Sequence, residues 1–184
     1  MVSPAQNRLN RTTHPTLPRH QVGWSTKGEP LLLEQLIPPG AINLDLSATK
    51  THEALHELAH MVVGQPGLPS NAEVISAIFN REMEYEAAVG SGAAIPHIMM
   101  AGPDKPILAV GRSKKGIVFG RNGKEKVKLL FLLISPADDP RQHLFTISRI
   151  AKLLHQPEVR ESLLKVEEER ELRTILKHHD EKVR

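Results

Sequence analysis

No cysteine occurs among the 184 residues, which excludes a disulfide framework, a thiolate-held zinc and a thiol nucleophile. Aromatic residues are scarce too. Trp24, Phe79, Tyr85, Phe119, Phe131 and Phe145 make up 3% of the chain, so the core has to be aliphatic. Long apolar runs are missing: the longest is Leu129 to Ile134, far short of the ~18 residues that cross a bilayer. No basic stretch leading into an apolar one opens the chain, so no signal peptide is expected. A soluble, cytoplasmic protein follows as the expectation.

Charge is unevenly placed. The pI of 9.3 invites a nucleic-acid reading, but Arg8, Arg11, Arg19 and Lys27 against Glu29 place the whole net charge of +3 in residues 1–30. The remainder balances. A neutral body with few aromatics has neither a phosphate-tracking stripe nor a stacking platform, so nucleic acid is not an expected partner.

Residues 1–30 hold Pro4, Pro15, Pro18 and Pro30 and no apolar periodicity, and read as a disordered tail or linker. The body, residues 31–178, begins with a helical turn over Leu31 to Ile37 and a half-buried strand over Ala41 to Leu46. Leu55, Leu58, Ala59 and Val62 mark one face of a helix over Thr51 to Val63. Ser70-Asn71-Ala72-Glu73 is a capping box, opening a helix with Val74, Ile75, Ile78 and Phe79 on one face. Gly90-Ser91-Gly92 leads into the strand Ala93 to His97. Ile107 to Val110 and Ile117 to Phe119 read as short strands, and Lys126 to Ser135 as a strand buried on both faces. Asp139-Pro140 opens a third helix with Leu144, Ile147, Ile150, Ala151 and Leu154 inward. Two more follow, Pro157 to Leu164 and Glu168 to Leu176, before a C-terminal tail over 179–184. Two helices, several strands, then three helices predict an α/β fold: a three-layer-like sandwich with a central mixed sheet flanked by helices.

Two constellations carry chemistry. His56-Glu57-Leu58-Ala59-His60 matches H-E-x-x-H, the zinc-hydrolase pattern. It lacks a third ligand at the right spacing, since Gly64 comes one residue late and no histidine follows it. Three imidazoles along one helix, with His52 added, cannot converge tetrahedrally on one ion. The expectation is a solvated helix face and no metal. The second constellation is better built. Pro96 stiffens the backbone before His97, and Gly90 and Gly92 permit a tight turn upstream. His143 lies in the first turn of the helix capped by Asp139, where the dipole favours an anion over an imidazolium. A neutral imidazole as nucleophile, a second imidazole at an anion-favouring helix end, and Arg81 to clamp phosphate make a phosphoryl-transfer set. His97, His143 and Arg81 are the candidate site residues.

These residues resemble the enzyme IIA domain of the mannitol/fructose type, closest to its nitrogen-regulatory branch, in the phosphoenolpyruvate-dependent phosphotransferase system. The resemblance is carried by Arg81-Glu82, then Gly90-Ser91-Gly92-Ala93-Ala94-Ile95-Pro96-His97. Leu129 to Pro136 follows, then His143-Leu144 with Ser148-Arg149-Ile150-Ala151-Lys152-Leu153-Leu154. It covers about residues 31–178. It implies the enzyme IIA fold and a phosphoryl group accepted on His97 from a histidine-containing phosphocarrier protein. It further implies support from His143, a phosphate site shaped by Arg81, and no cofactor. A IIB protein, a transporter or a sensor kinase would be the onward partner. The IIB domain of such systems works through a cysteine, so this chain is not expected to be a IIA–IIB fusion. The chain departs from the family where Tyr85-Glu86-Ala87-Ala88 stands for Gly-Ser-Thr-Gly, and where Ile98 follows the histidine in place of glycine. Those departures suit the alternative, a IIA-like regulatory module that controls a transporter without being phosphorylated.

Overall fold

Lys126–Pro136 forms the strand around which the molecule is built. In the computed structural model, which describes residues 30–84, 87–120 and 126–183, every residue from Leu129 through Pro136 is buried. Since side chains alternate across a strand, both of its faces are covered. The elements in order are a 3₁₀ turn (Leu33–Leu36), β1 (Ile42–Asn43), α1 (Thr51–Val62) and α2 (Asn71–Glu84). Four short or long strands follow: β2 (Ala88–Gly90), β3 (Ala93–Ala94), β4 (His97–Met100) and β5 (Ile107–Val118). After β6 (Lys126–Pro136) come α3 (Pro140–His155), α4 (Pro157–Lys165) and α5 (Glu169–Val183).

The sheet is mixed, with strand order β1-β5-β6-β3-β2 and β4 also on β6. β5 runs antiparallel to β6, while β3 and β4 run parallel to it. Helices α1 and α2 pack on each other and on β5 and β4. The other three pack together, with α3 and α4 on β6. At Gly111 a Cβ would meet Leu46 at 2.6 Å and Leu58 at 3.0 Å, so glycine there lets α1 lie close to the sheet. The core is aliphatic as expected, with Phe119 and Phe131 its buried aromatics. Among the described residues no helix is long and apolar enough to cross a membrane.

Local chemistry accounts for the element ends. Ser70 and Glu73 cap α2 reciprocally, the hydroxyl donating to the carboxylate at 2.6 Å. Asp139 accepts from the Gln142 amide at 2.9 Å, and Pro140 takes the first helical position of α3. Five expectations need correction. The strand expected over Ala41 to Leu46 is only Ile42–Asn43, because the Asn43 side chain accepts from the Asp45 amide and turns the chain. The strands expected at Ile107 and Ile117 are one strand, β5, with a register shift where Gly116 adopts φ 77° and donates to Ser113 Oγ. The strand expected to end at His97 instead breaks at Ile95-Pro96 and resumes there as β4. Leu144 is 67% exposed rather than inward, its place on the buried face being taken by His143, Thr146 and Arg149. The last helix runs on through Val183, past Leu176, and Asp180, in the stretch read as tail, is buried.

Candidate functional site

His97 owes its position to a proline. β3 and β4 share one register on β6, Ala94 opposite Leu130 and His97 opposite Leu133, so they are two halves of one strand. Pro96 has no amide to give the ladder and interrupts it, although its carbonyl still accepts from Leu133 N at 2.9 Å. In the gap the Ile95 carbonyl turns to the imidazole and lies 2.8 Å from His97 Nδ1. A carbonyl only accepts, so Nδ1 carries the proton and a neutral ring leaves its lone pair on Nε2. Upstream, β2 and β3 are joined by Ser91-Gly92, both at positive φ (55° and 75°), the two-residue turn that matches strand twist.

His143 approaches from α3. Its ring centroid is 5.4 Å from that of His97, with the planes at 50°. Nδ1 of His143 lies 2.9 Å from the hydroxyl of Ser135, a fully buried residue near the end of β6. His143 itself is 7% exposed, and its pKa is pushed down to about 4, first by burial and then by His97 and the charge of Arg81. Burial, not the helix dipole, is the first cause of this lowering. Much of the anion-binding capacity of the helix end is already engaged, since Asp139 takes the Gln142 amide and Pro140 has none.

Arg81 stands in the last turn of α2, half-buried. Its neighbour Glu82 accepts from the Ala87 amide at 3.4 Å and ties the helix end to the start of β2. All three expected site residues thus gather at one place: the two rings are adjacent, and the guanidinium is near enough to act on His143. Ile98 does not obstruct them. It is buried in the core and paired with Ile134, so by strand alternation it points to the sheet face opposite His97. Tyr85 and Glu86 lie outside the described residues.

Ser135 is the site residue that sequence reasoning missed. A hydroxyl directly after six apolar residues in a doubly buried strand was the available signal, because buried polar groups are hydrogen-bonded. The H-E-x-x-H residues do something else. Glu57 accepts from Ser47 Oγ and Ala48 N, both at 2.7 Å, and so anchors the loop before α1. His56 and His60 are exposed, as expected, with rings 4.4 Å apart. Among the described residues no three His, Asp or Glu side chains group to hold a metal ion.

A mixed sheet whose central strand is covered on both faces, with a carbonyl-bonded imidazole set beside a buried one, makes this an α/β domain with a two-histidine site. Residues 35–179 match the family described as "Phosphoenolpyruvate-dependent sugar phosphotransferase system, EIIA 2", and the chain belongs to that family. It is 28% identical over 144 residues to the fructose-specific EIIA component of Haloferax volcanii, covering 78% of this chain and 94% of that one. It is also 28% identical over 148 residues to the fructose-specific EIIABC component of Bacillus subtilis, covering 80% of this chain but only 23% of that larger protein. Among solved structures, nitrogen regulatory protein IIA-Ntr from Neisseria meningitidis superposes with a TM-score of 0.73 at 29% identity, over 78% of this chain and 98% of that one.

Proposed function

We propose that this chain is a cytoplasmic phosphocarrier of a phosphoenolpyruvate-dependent phosphotransferase system, sugar-linked or nitrogen-regulatory, with His97 as its phosphoryl acceptor. The observation that carries the reading is the Nδ1–carbonyl hydrogen bond of His97, which frees the Nε2 lone pair. Nε2 attacks the phosphorus of a phosphohistidine on a partner phosphocarrier. A new N–P bond forms, the partner's N–P bond breaks, and its electron pair returns to the partner's imidazole. His97 keeps its Nδ1 proton throughout. His143 and Arg81 face the developing charge on the phosphoryl oxygens, the first as a neutral ring and the second as a cation. Onward transfer then goes to a IIB protein, or the phosphorylated state itself acts on a transporter or sensor kinase.

Glu86 and Ala87 favour a second reading, since they stand where the family pattern carries the hydroxyls of Ser and Thr. On that reading the domain regulates a transporter by binding alone. One experiment separates the two. Incubation with phosphoenolpyruvate, enzyme I and the histidine phosphocarrier is expected to add a single acid-labile, base-stable mass of about 80 Da, abolished by His97→Ala. An unmodified wild type beside a competent control acceptor leaves the binding module; an adduct that survives His97→Ala moves the chemistry to another residue.

A further inference from the structure

Ser135 is the polar end of an otherwise apolar run, and its side chain is fully buried. In the parallel β4–β6 ladder His97 stands opposite Leu133 and Met99 opposite Ser135, so Ser135 and His97 share one face of the sheet. That is the face α3 covers, and it brings His143 Nδ1 to 2.9 Å from the serine hydroxyl. Two proton arrangements fit this distance. If Nδ1 donated to Oγ, the serine hydrogen would need a second acceptor, and among the described residues the contact with His143 is the one hydrogen bond its side chain makes. A buried donor left unmade costs more than an unused lone pair. If instead the hydroxyl donates to Nδ1, the serine hydrogen is satisfied and the ring proton moves to Nε2.

We infer that Ser135 is a positioning residue that sets the tautomer of His143: its hydroxyl donates to Nδ1, holds the ring proton on Nε2, and makes His143 a hydrogen-bond donor. The two imidazoles are then held in opposite tautomers, His97 by a carbonyl and His143 by a hydroxyl. One ring presents a lone pair to phosphorus, and the other presents an N–H to the phosphoryl oxygens. The purpose of this arrangement rests on the carrier reading; the tautomer does not.

The test reads the two separately. Long-range proton–nitrogen correlation of the imidazoles in the uniformly ¹⁵N-labelled full chain at neutral pH is expected to show His97 protonated on Nδ1 and His143 on Nε2. Ser135→Ala is expected to give His143 a mixture of tautomers and to slow phosphoryl uptake about fivefold, the scale of one hydrogen bond. Ser135→Thr, which keeps the hydroxyl, restores both. If Ser135→Ala does not fold, Ser135→Cys removes the strong donor at nearly equal volume. A wild-type His143 protonated on Nδ1 overturns the inference, and so does a tautomer that Ser135→Ala or Ser135→Cys leaves unchanged. Expected tautomers without any phosphoryl uptake would instead remove the carrier reading and leave the Ser135 assignment standing.

Discussion

A histidine that attacks phosphorus needs a bare nitrogen, and one that accompanies it in a buried site must avoid becoming a second cation. At His97 the Ile95 carbonyl accepts from Nδ1, and at His143 burial is the first cause that holds the ring's pKa down. The second has a consequence for stability. The pKa of His143 falls from 6.5 in the unfolded chain to about 4 in the folded one, so between those values the unfolded chain binds more protons. Folding stability is therefore full above pH 6.5 and is lost as the pH drops toward 4, by at most about 3 kcal/mol from this residue. Urea titrations at pH 7 and pH 4.5 are expected to show a smaller drop for His143→Asn than for wild type; equal drops would assign the acid sensitivity to other groups. His97, His143 and Arg81 were all legible as residues, because Ala-Ile-Pro-His and an Asp-Pro helix start are local signals. Ser135 was not, because its role depends on a partner that only tertiary packing supplies.

Among the elements, α3 and the broken strand β3–β4 do the positioning. The cap of α3 was readable from Asp139-Pro140, and its loss is expected to be felt: Asp139→Ala leaves the Gln142 amide without its carboxylate and should cost about 1 kcal/mol, read as a lower denaturant midpoint at unchanged slope. The inward face of α3 was less readable. Apolar spacing assigned Leu144 to it, yet His143 turns inward to reach Ser135 and Leu144 turns to solvent. Hydrophobic periodicity finds a helix reliably but misplaces its stripe where polar residues have buried partners. The same limit explains β5, read as two short strands because Lys114 and Lys115 interrupt the apolar pattern at a bulge that the sheet absorbs.

Across the whole molecule the feature least visible in the sequence is a buried ion pair. Arg149 of α3 donates to both carboxylate oxygens of Asp180 of α5 through Nε and Nη2, and both residues are buried. Asp180 also accepts from the Leu33 amide at 2.7 Å, and Arg149 donates to the Leu31 carbonyl at 2.9 Å, so the start of the domain is tied to its last helix. Removing one partner leaves a buried charge uncompensated. Asp180→Ala, or truncation after residue 179, is expected to cost about 3–5 kcal/mol, a large share of an ordinary domain's stability. A midpoint within error of wild type in either variant would show that the C-terminal turn is dispensable. The apolar heptad-like pattern fades before Asp180, which is why the helix was expected to stop near Leu176.

The order of elements, the doubly buried central strand, the caps and the proline-stiffened histidine were determined by the sequence itself, since each depends on residues a few positions apart. Which polar side chains turn inward was decided by the tertiary structure alone. Ser135 meets His143 from a neighbouring element, Arg149 meets Asp180 across 31 positions, and His97 meets His143 where α3 lies over the sheet face that His97 occupies. A buried polar group takes its orientation from the partner that satisfies it, and that partner is known only once the chain has folded.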